Sequence, residues 1–174
     1  MRRCFTLVAA ALQISSTSAF AQAVASANPL IDYPGFEKLV REVGPLREAR
    51  RLGWERFAAE ARSKDAILID ARSAADFARG HIASATNLPF NEFTDARLAE
   101  VLGPDRERPI YIYCKNNFSD NVAPIVTKRV QLALNISTFI NLVGYGYGNV
   151  WELADVVSIR NPRIGWVGGM RQPG

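Results

Sequence analysis

Two four-residue apolar runs constrain this chain more than any other feature. Ala66-Ile67-Leu68-Ile69 follows Lys64 and Asp65, and Ile110-Tyr111-Ile112-Tyr113 leads straight into Cys114. Neither run alternates polar with apolar residues, so neither is a strand with one wet face. Each reads as a short strand buried on both sides, which requires covering layers above and below it. The surrounding sequence offers them. Apolar residues at 36, 39, 40 and 43 predict a helix over 36–43, stopped by Gly44-Pro45. Residues 54–62 place Trp54, Phe57, Ala58 and Ala61 on one helical side. Ser73-x-x-Asp76 opens a helix that ends at Gly80. A short strand is expected at 85–88, a helix at 94–102 around Leu98, Val101 and Leu102, and another helix over 121–133. Residues 138–142 read as a third core strand. The glycine-rich turn 144–148 then leads into a last helix at 149–156. Strands and helices in this alternation predict an α/β domain with a mostly parallel sheet covered by helices on both faces. Ligand sites in such sheets lie beyond the carboxyl ends of the strands.

The start of the chain belongs to a different category. Arg2 and Arg3 precede a mostly apolar stretch from Phe5 to Leu12, and small residues then lead to Ala19-Phe20-Ala21. That is the order of a cleavable export signal, cut after Ala21. The apolar stretch is too short and too interrupted by Gln13, Ser15 and Ser16 to form a stable membrane span. Arg-Arg-x-Phe is a fragment of the twin-arginine pattern without its remainder, so ordinary secretion to a periplasm or beyond is expected. Residues 22–48 follow as an arm with one short helix, and 159–174 as a C-terminal tail.

Composition then narrows the chemistry. With 174 residues and 48% hydrophobic content the chain builds one domain with its own core. A formal charge of +4 without any clustering of Lys and Arg argues against a nucleic-acid partner. Two Cys and one His cannot supply a zinc cage, and no metal or cofactor site is expected. Removal of the leader takes Cys4 with it and leaves a single cysteine, Cys114, and a single histidine, His81. An unpaired thiol in an oxidising compartment needs a reason.

Its position suggests one. Cys114 stands at the carboxyl end of the 110–113 strand, followed by Lys115-Asn116-Asn117-Phe118-Ser119-Asp120 and the expected helix. Backbone N–H groups of such a loop, together with a helix N-terminus, form an anion cradle that favours a thiolate and lowers its pKa. The other reading is a buried cysteine acting as a small apolar side chain.

The segments in order resemble the rhodanese-like domain family over approximately residues 49–158. Leu68-Ile69-Asp70-Ala71-Arg72 resembles its strand ending in Asp-x-Arg. Asp76-Phe77 followed by Gly80-His81-Ile82, Ala85, Asn87 and Pro89 resembles its second signature, and Tyr111-Ile112-Tyr113-Cys114 its cysteine-bearing strand. The chain is most similar to exported bacterial members with a Tyr-Cys-x-Asn-Asn-Phe loop. The resemblance implies a sulfurtransferase in which Cys114 carries sulfane sulfur as a persulfide. Its partners would be a sulfane-sulfur donor and a thiol acceptor. It implies that Lys115, Asn116, Asn117, Phe118 and Ser119 bind the anion, and that Asp70, Arg72 and His81 are structural.

The loop departs from the family's usual form. Asn117, Ser119 and Asp120 stand where a glycine and a later Arg, Lys or Thr are common. Asp120 repels dianions unless it turns away to cap the following helix, and Asn116 and Asn117 can take left-handed backbone angles in place of glycine. Asp120 also occupies the place of the arginine in a Cys-x5-Arg phosphatase loop, which argues against that activity. Three functions stay open: a sulfurtransferase or persulfide carrier, a non-catalytic partner-binding module, and a redox accessory domain with a reversible thiol.

Overall fold

The computed structural model describes residues 28–169, so the export signal expected at 1–21 lies outside the described residues. Residues 28–32 form a turn closed by Ile31 N donating to Asn28 O at 3.1 Å. From Tyr33 onward the chain forms one compact unit.

In chain order that unit contains α1 (Tyr33–Ala49), β1 (Arg51–Leu52), α2 (Trp54–Ala61), β2 (Ile67–Asp70), α3 (Ala74–Arg79), β3 (Gly80–Ile82), β4 (Thr86–Asn87), α4 (Asp95–Leu102), β5 (Ile110–Tyr113), α5 (Leu134–Gly144), β6 (Val150–Leu153) and β7 (Trp166–Gly168). Five strands form a sheet in the order β1-β6-β5-β2-β4, and every pairing in it is parallel. The two apolar runs lie side by side at its centre, Ile67 opposite Ile110 and Asp70 opposite Tyr113. Successive side chains face opposite ways. Ile67, Ile69, Ile110 and Ile112 enter one core with Val43, Leu98, Leu102, Phe139 and Leu142. Leu68, Tyr111 and Tyr113 enter the other with Trp54, Phe57, Phe118 and Ile164. The expected α/β architecture with both faces covered is the one observed.

Three segments differ from the sequence reading. Residues 138–142 are helical, inside α5, and not a strand. Phe139, Ile140 and Leu142 are buried with Thr138 and Asn135, so the apolar surface follows helical spacing from 135 onward. The third central strand is β6, at residues where a helix was expected. In Val150-Trp151-Glu152-Leu153 the glutamate is buried along with Val150 and Leu153. The helix expected over 121–133 is absent. Asn121 adopts φ of 45°, and Pro124 has no N–H to give to a helix, so only a short 3-10 turn at Val130–Leu132 forms.

Two boundaries also move. α1 continues through Gly44-Pro45 to Ala49, held down by buried Val43 and by Arg47. The segment 159–174, expected as a tail, is built into the fold as far as it is described. Ile159 and Ile164 are buried, and β7 pairs antiparallel with β3, Gly80 opposite Gly168. Gly168 has φ of 114°, a left-handed conformation that favours glycine. The aromatic turn is core packing at Tyr147, which is fully buried.

Candidate functional site

Cys114 leaves β5 with extended backbone and is 1% exposed. The chain then makes a 3-10 turn at Lys115–Asn117, whose third residue folds back on the cysteine. Asn117 Oδ1 accepts from Cys114 N at 2.9 Å and from Asn135 Nδ2 at 2.9 Å. Its Nδ2 donates to Leu153 O at 2.8 Å and Asp155 O at 3.1 Å. One buried amide therefore joins the exits of β5 and β6 and the first turn of α5. The expected glycine-like backbone is not seen here: residues 115–117 are right-handed, and the left-handed asparagine is Asn121.

The cradle around the sulfur differs from the expected one. Backbone N–H groups of Asn135, Asn116 and Leu134 face Cys114 Sγ. Two of the three come from the N-terminus of α5, twenty residues downstream, and one from the loop. The amides of Asn117, Phe118 and Ser119 are used elsewhere, donating to Cys114 O, Lys115 O and Val157 O. Burial pushes the Cys114 thiol above its ordinary value, and the nearby carboxylate of Glu152 pushes the same way. The three amides favour the thiolate but do not outweigh burial. The depressed pKa expected from the loop alone is thus not what the geometry produces.

The remaining loop side chains are committed to the fold. Lys115 Nζ lies 2.7 Å from Asp76 Oδ2. Burial works against ionisation of Asp76, yet the Lys115 ammonium outweighs it and holds that carboxyl below its ordinary range. Asn116 brackets Lys128, donating from Nδ2 to its carbonyl at 2.8 Å and accepting from its N–H at 3.1 Å. Phe118 is buried, edge-on to Tyr113 and Trp166 with ring centres 5.9 and 5.2 Å away. Ser119 Oγ reaches Val157 O at 3.4 Å. Asp120 turns away from the sulfur and caps no helix. Its carboxylate accepts from Ser158 Oγ at 3.0 Å and Ile159 N at 2.9 Å, with Arg160 Nε at 3.6 Å.

Beneath the loop sits a second buried cluster. Arg72 Nε donates to Asp70 Oδ1 at 2.9 Å and Nη2 to Asp70 Oδ2 at 2.6 Å, both side chains being inaccessible to solvent. Arg72 Nη2 also donates to Gly80 O at 2.6 Å, and Nη1 to Pro124 O at 3.4 Å. Tyr113 Oη donates to Asp70 Oδ2 at 2.7 Å and accepts from Ile82 N at 3.1 Å. Burial, then the Asp70 charge, push that phenol well above its ordinary pKa. This pair ties β2, β3 and the loop after Cys114 into one body. A buried charge pair of this kind is costly to break on one side only. His81 lies in β3, with Nδ1 at 2.9 Å from Phe77 O and its ring stacked on Phe77 at 3.7 Å. These contacts tie its ring to the end of α3.

A rhodanese-like domain model matches residues 54–155. The chain belongs to the rhodanese-like domain family. It is a member of a sulfurtransferase family by that match. Among solved structures it is similar to the BH2092 protein of Bacillus halodurans at 18% identity, covering 78% of this chain and 86% of that one, with a TM-score of 0.46. It is similar to a rhodanese with anions from E. coli at 21% identity, covering 60% and 99%, with a TM-score of 0.38. Protein hp1203 of Helicobacter pylori shows 17% identity over 70% and 92%, with a TM-score of 0.42. No curated protein matches the chain. Among the described residues no helix is long and apolar enough to cross a membrane, and no cluster of three His, Cys, Asp or Glu residues could hold a metal ion.

Sequence reasoning missed Asn135, Glu152 and Arg47. Asn135 and Glu152 are buried beside the rhodanese-like cysteine, and Asn135 Nδ2 lies 3.4 Å from Glu152 Oε1. The available signal was Glu152 itself, a lone charge between Trp151 and Leu153, which in a buried strand demands a cation nearby.

Proposed function

We propose that this rhodanese-like protein is exported and transfers sulfane sulfur through Cys114. The observation that carries the reading is the sulfur at the carboxyl end of β5, faced by N–H groups of Asn116, Leu134 and Asn135. Those donors suit a thiolate or a persulfide anion. In the first step the Cys114 thiolate attacks the outer sulfur of thiosulfate. The new S–S bond makes the cysteine persulfide, and the electron pair of the old S–S bond leaves with sulfite. In the second step an acceptor thiolate attacks the outer sulfur of the persulfide, forming its own persulfide and returning the Cys114 thiolate. The leader at residues 1–21 supports an export route, with a periplasmic or secreted destination. With the thiol 1% exposed and its pKa raised, the loop around it has to open for a donor to reach it.

That burial also supports a second reading, a non-catalytic module that binds a partner. The two are separated by incubating the mature protein with thiosulfate and cyanide. Thiocyanate release that disappears in Cys114→Ser supports transfer, and release at full rate in that variant excludes Cys114 as carrier. Absence of release from the wild-type protein favours the binding module. Phe118 is unsuited to testing partner binding, because its ring is part of the core.

A further inference from the structure

A line of polar side chains runs from α1 to the cysteine through the interior. Arg47 grips Glu152 with two contacts, Nη2 to Oε1 and Nε to Oε2, both at 2.6 Å. Glu152 Oε1 lies 3.4 Å from Asn135 Nδ2. Asn135 Nδ2 donates to Asn117 Oδ1, and Asn117 Oδ1 accepts from Cys114 N. The Glu152 side chain is 6% exposed and that of Arg47 19%. A carboxylate this buried is retained only when paired; here one hydrogen bond from Nη2 orients it and the close Nε adds charge without hydrogen-bond geometry. Arg47 lies outside the segment 54–155 that the family model matches.

We propose that Arg47 is a positioning residue for Cys114, neutralising Glu152 and, through Asn135 and Asn117, fixing the backbone that presents the sulfur. The role rests on Cys114 being the reacting group. Glu152 lies behind the thiol, on the strand next to β5, and its charge disfavours a second anion there. Arg47 pairs with that charge from α1. Of the other charged groups near Cys114, Asp70 pairs with Arg72, Asp76 with Lys115 and Asp120 with Arg160, while the Asp155 carboxylate accepts from Trp54 N. Lys128 is exposed on the loop held by Asn116. None of these groups contacts Arg47, whose other carboxylate partner, Glu48, is exposed, so an effect of Arg47 on the thiol passes through Glu152.

The test reads the thiol and not sulfur transfer: the rate of Cys114 alkylation by iodoacetamide against pH, in the full mature chain. In Arg47→Met the uncompensated Glu152 charge raises the midpoint by about one pH unit, a tenfold slower reaction on the rising limb. In Glu152→Gln the midpoint falls by about half a unit, roughly threefold faster. In the double variant the upward shift is gone. Mere loosening of the site would expose the sulfur, speeding both single variants and lowering both midpoints, because burial is what holds the thiol up. Midpoints moving in opposite directions support the proposal; if Arg47→Met fails to fold, Arg47→Gln takes its place with the same expected rise. Unmoved midpoints, or shifts in one direction, overturn it. Because no donor is used, absence of sulfur transfer in the wild-type protein leaves this result readable.

Discussion

Replacing Asn117 with alanine removes four hydrogen bonds at once. The partners left behind are Cys114 N, Asn135 Nδ2, Leu153 O and Asp155 O, and Asn117 itself is 6% exposed. A buried partner left unsatisfied costs roughly 1–3 kcal/mol, and the lower figure applied to three of the four, Asp155 being exposed, gives about 3 kcal/mol. Against a total stability of roughly 5–15 kcal/mol that is a large fraction. With a urea slope of about 2 kcal/mol per molar, the unfolding midpoint falls by about 1.5 M. Tryptophan fluorescence reports the transition, since Trp54, Trp151 and Trp166 are all partly or largely buried. Asn117→Asp refines the test. It keeps both acceptor bonds but sets a carboxylate oxygen where Nδ2 stood, 2.8 Å from Leu153 O. Burial and that carbonyl raise the new carboxyl's pKa in the folded state. Its penalty is therefore absent in acid, below the unfolded value, and grows as pH rises through the folded one. A midpoint within about 0.5 M of wild type for Asn117→Ala would refute the reasoning, since it would put the whole four-bond junction near 1 kcal/mol.

Other consequences follow from single contacts. Gly80→Ala places a methyl group 2.6 Å from Trp166 Nε1, so the indole that covers Arg72 has to move. A cost of roughly 1–3 kcal/mol is expected, read as a lower thermal midpoint with altered Trp fluorescence, whereas an unchanged melt would mean Trp166 yields freely. Tyr111 donates to Glu60 Oε2 at 3.0 Å, and burial first, then that bond, push its phenol to about 12. The folded value lies above the unfolded one, so the stability it contributes is complete below about pH 10 and is lost as pH rises through 12. Ultraviolet titration of Tyr111→Phe against wild type checks this: the variant loses a component near 12. Asp120→Asn lowers stability by releasing Arg160, but leaves the preference of Cys114 for thiosulfate over a neutral donor unchanged, because the carboxylate is already turned to residues 158–160. A gain in thiosulfate preference would place Asp120 in the cleft.

The two apolar runs that open the sequence are the centre of the sheet, because a run without polar residues has no solvated face in any register. The α2 stripe Trp54, Phe57, Ala58 and Ala61 was equally legible, and all four residues are buried. What misled was hydrophobicity without context. Residues 138–142 carry β-branched and aromatic residues in a row and still form a helix, since packing against β5 and β6 decides over local preference. Residues 150–153, expected inside a helix, form a buried strand that carries Glu152, and the cation that permits this comes from α1, more than a hundred residues earlier. The cysteine's place at a strand end was readable. Its cradle was not, because two of the three donors belong to α5, beyond a loop with no periodicity. Nor does the sequence around Cys114 state how deeply it is buried, and that burial reverses the expected direction of its pKa.

The most direct test of Cys114 as the sulfur carrier is intact mass spectrometry of the mature protein after incubation with thiosulfate. A gain of about 32 Da, one sulfur atom, is expected on Cys114 of the wild type, lost on adding a thiol acceptor and absent in Cys114→Ser. A wild-type mass that stays unchanged under the same conditions would contradict the account.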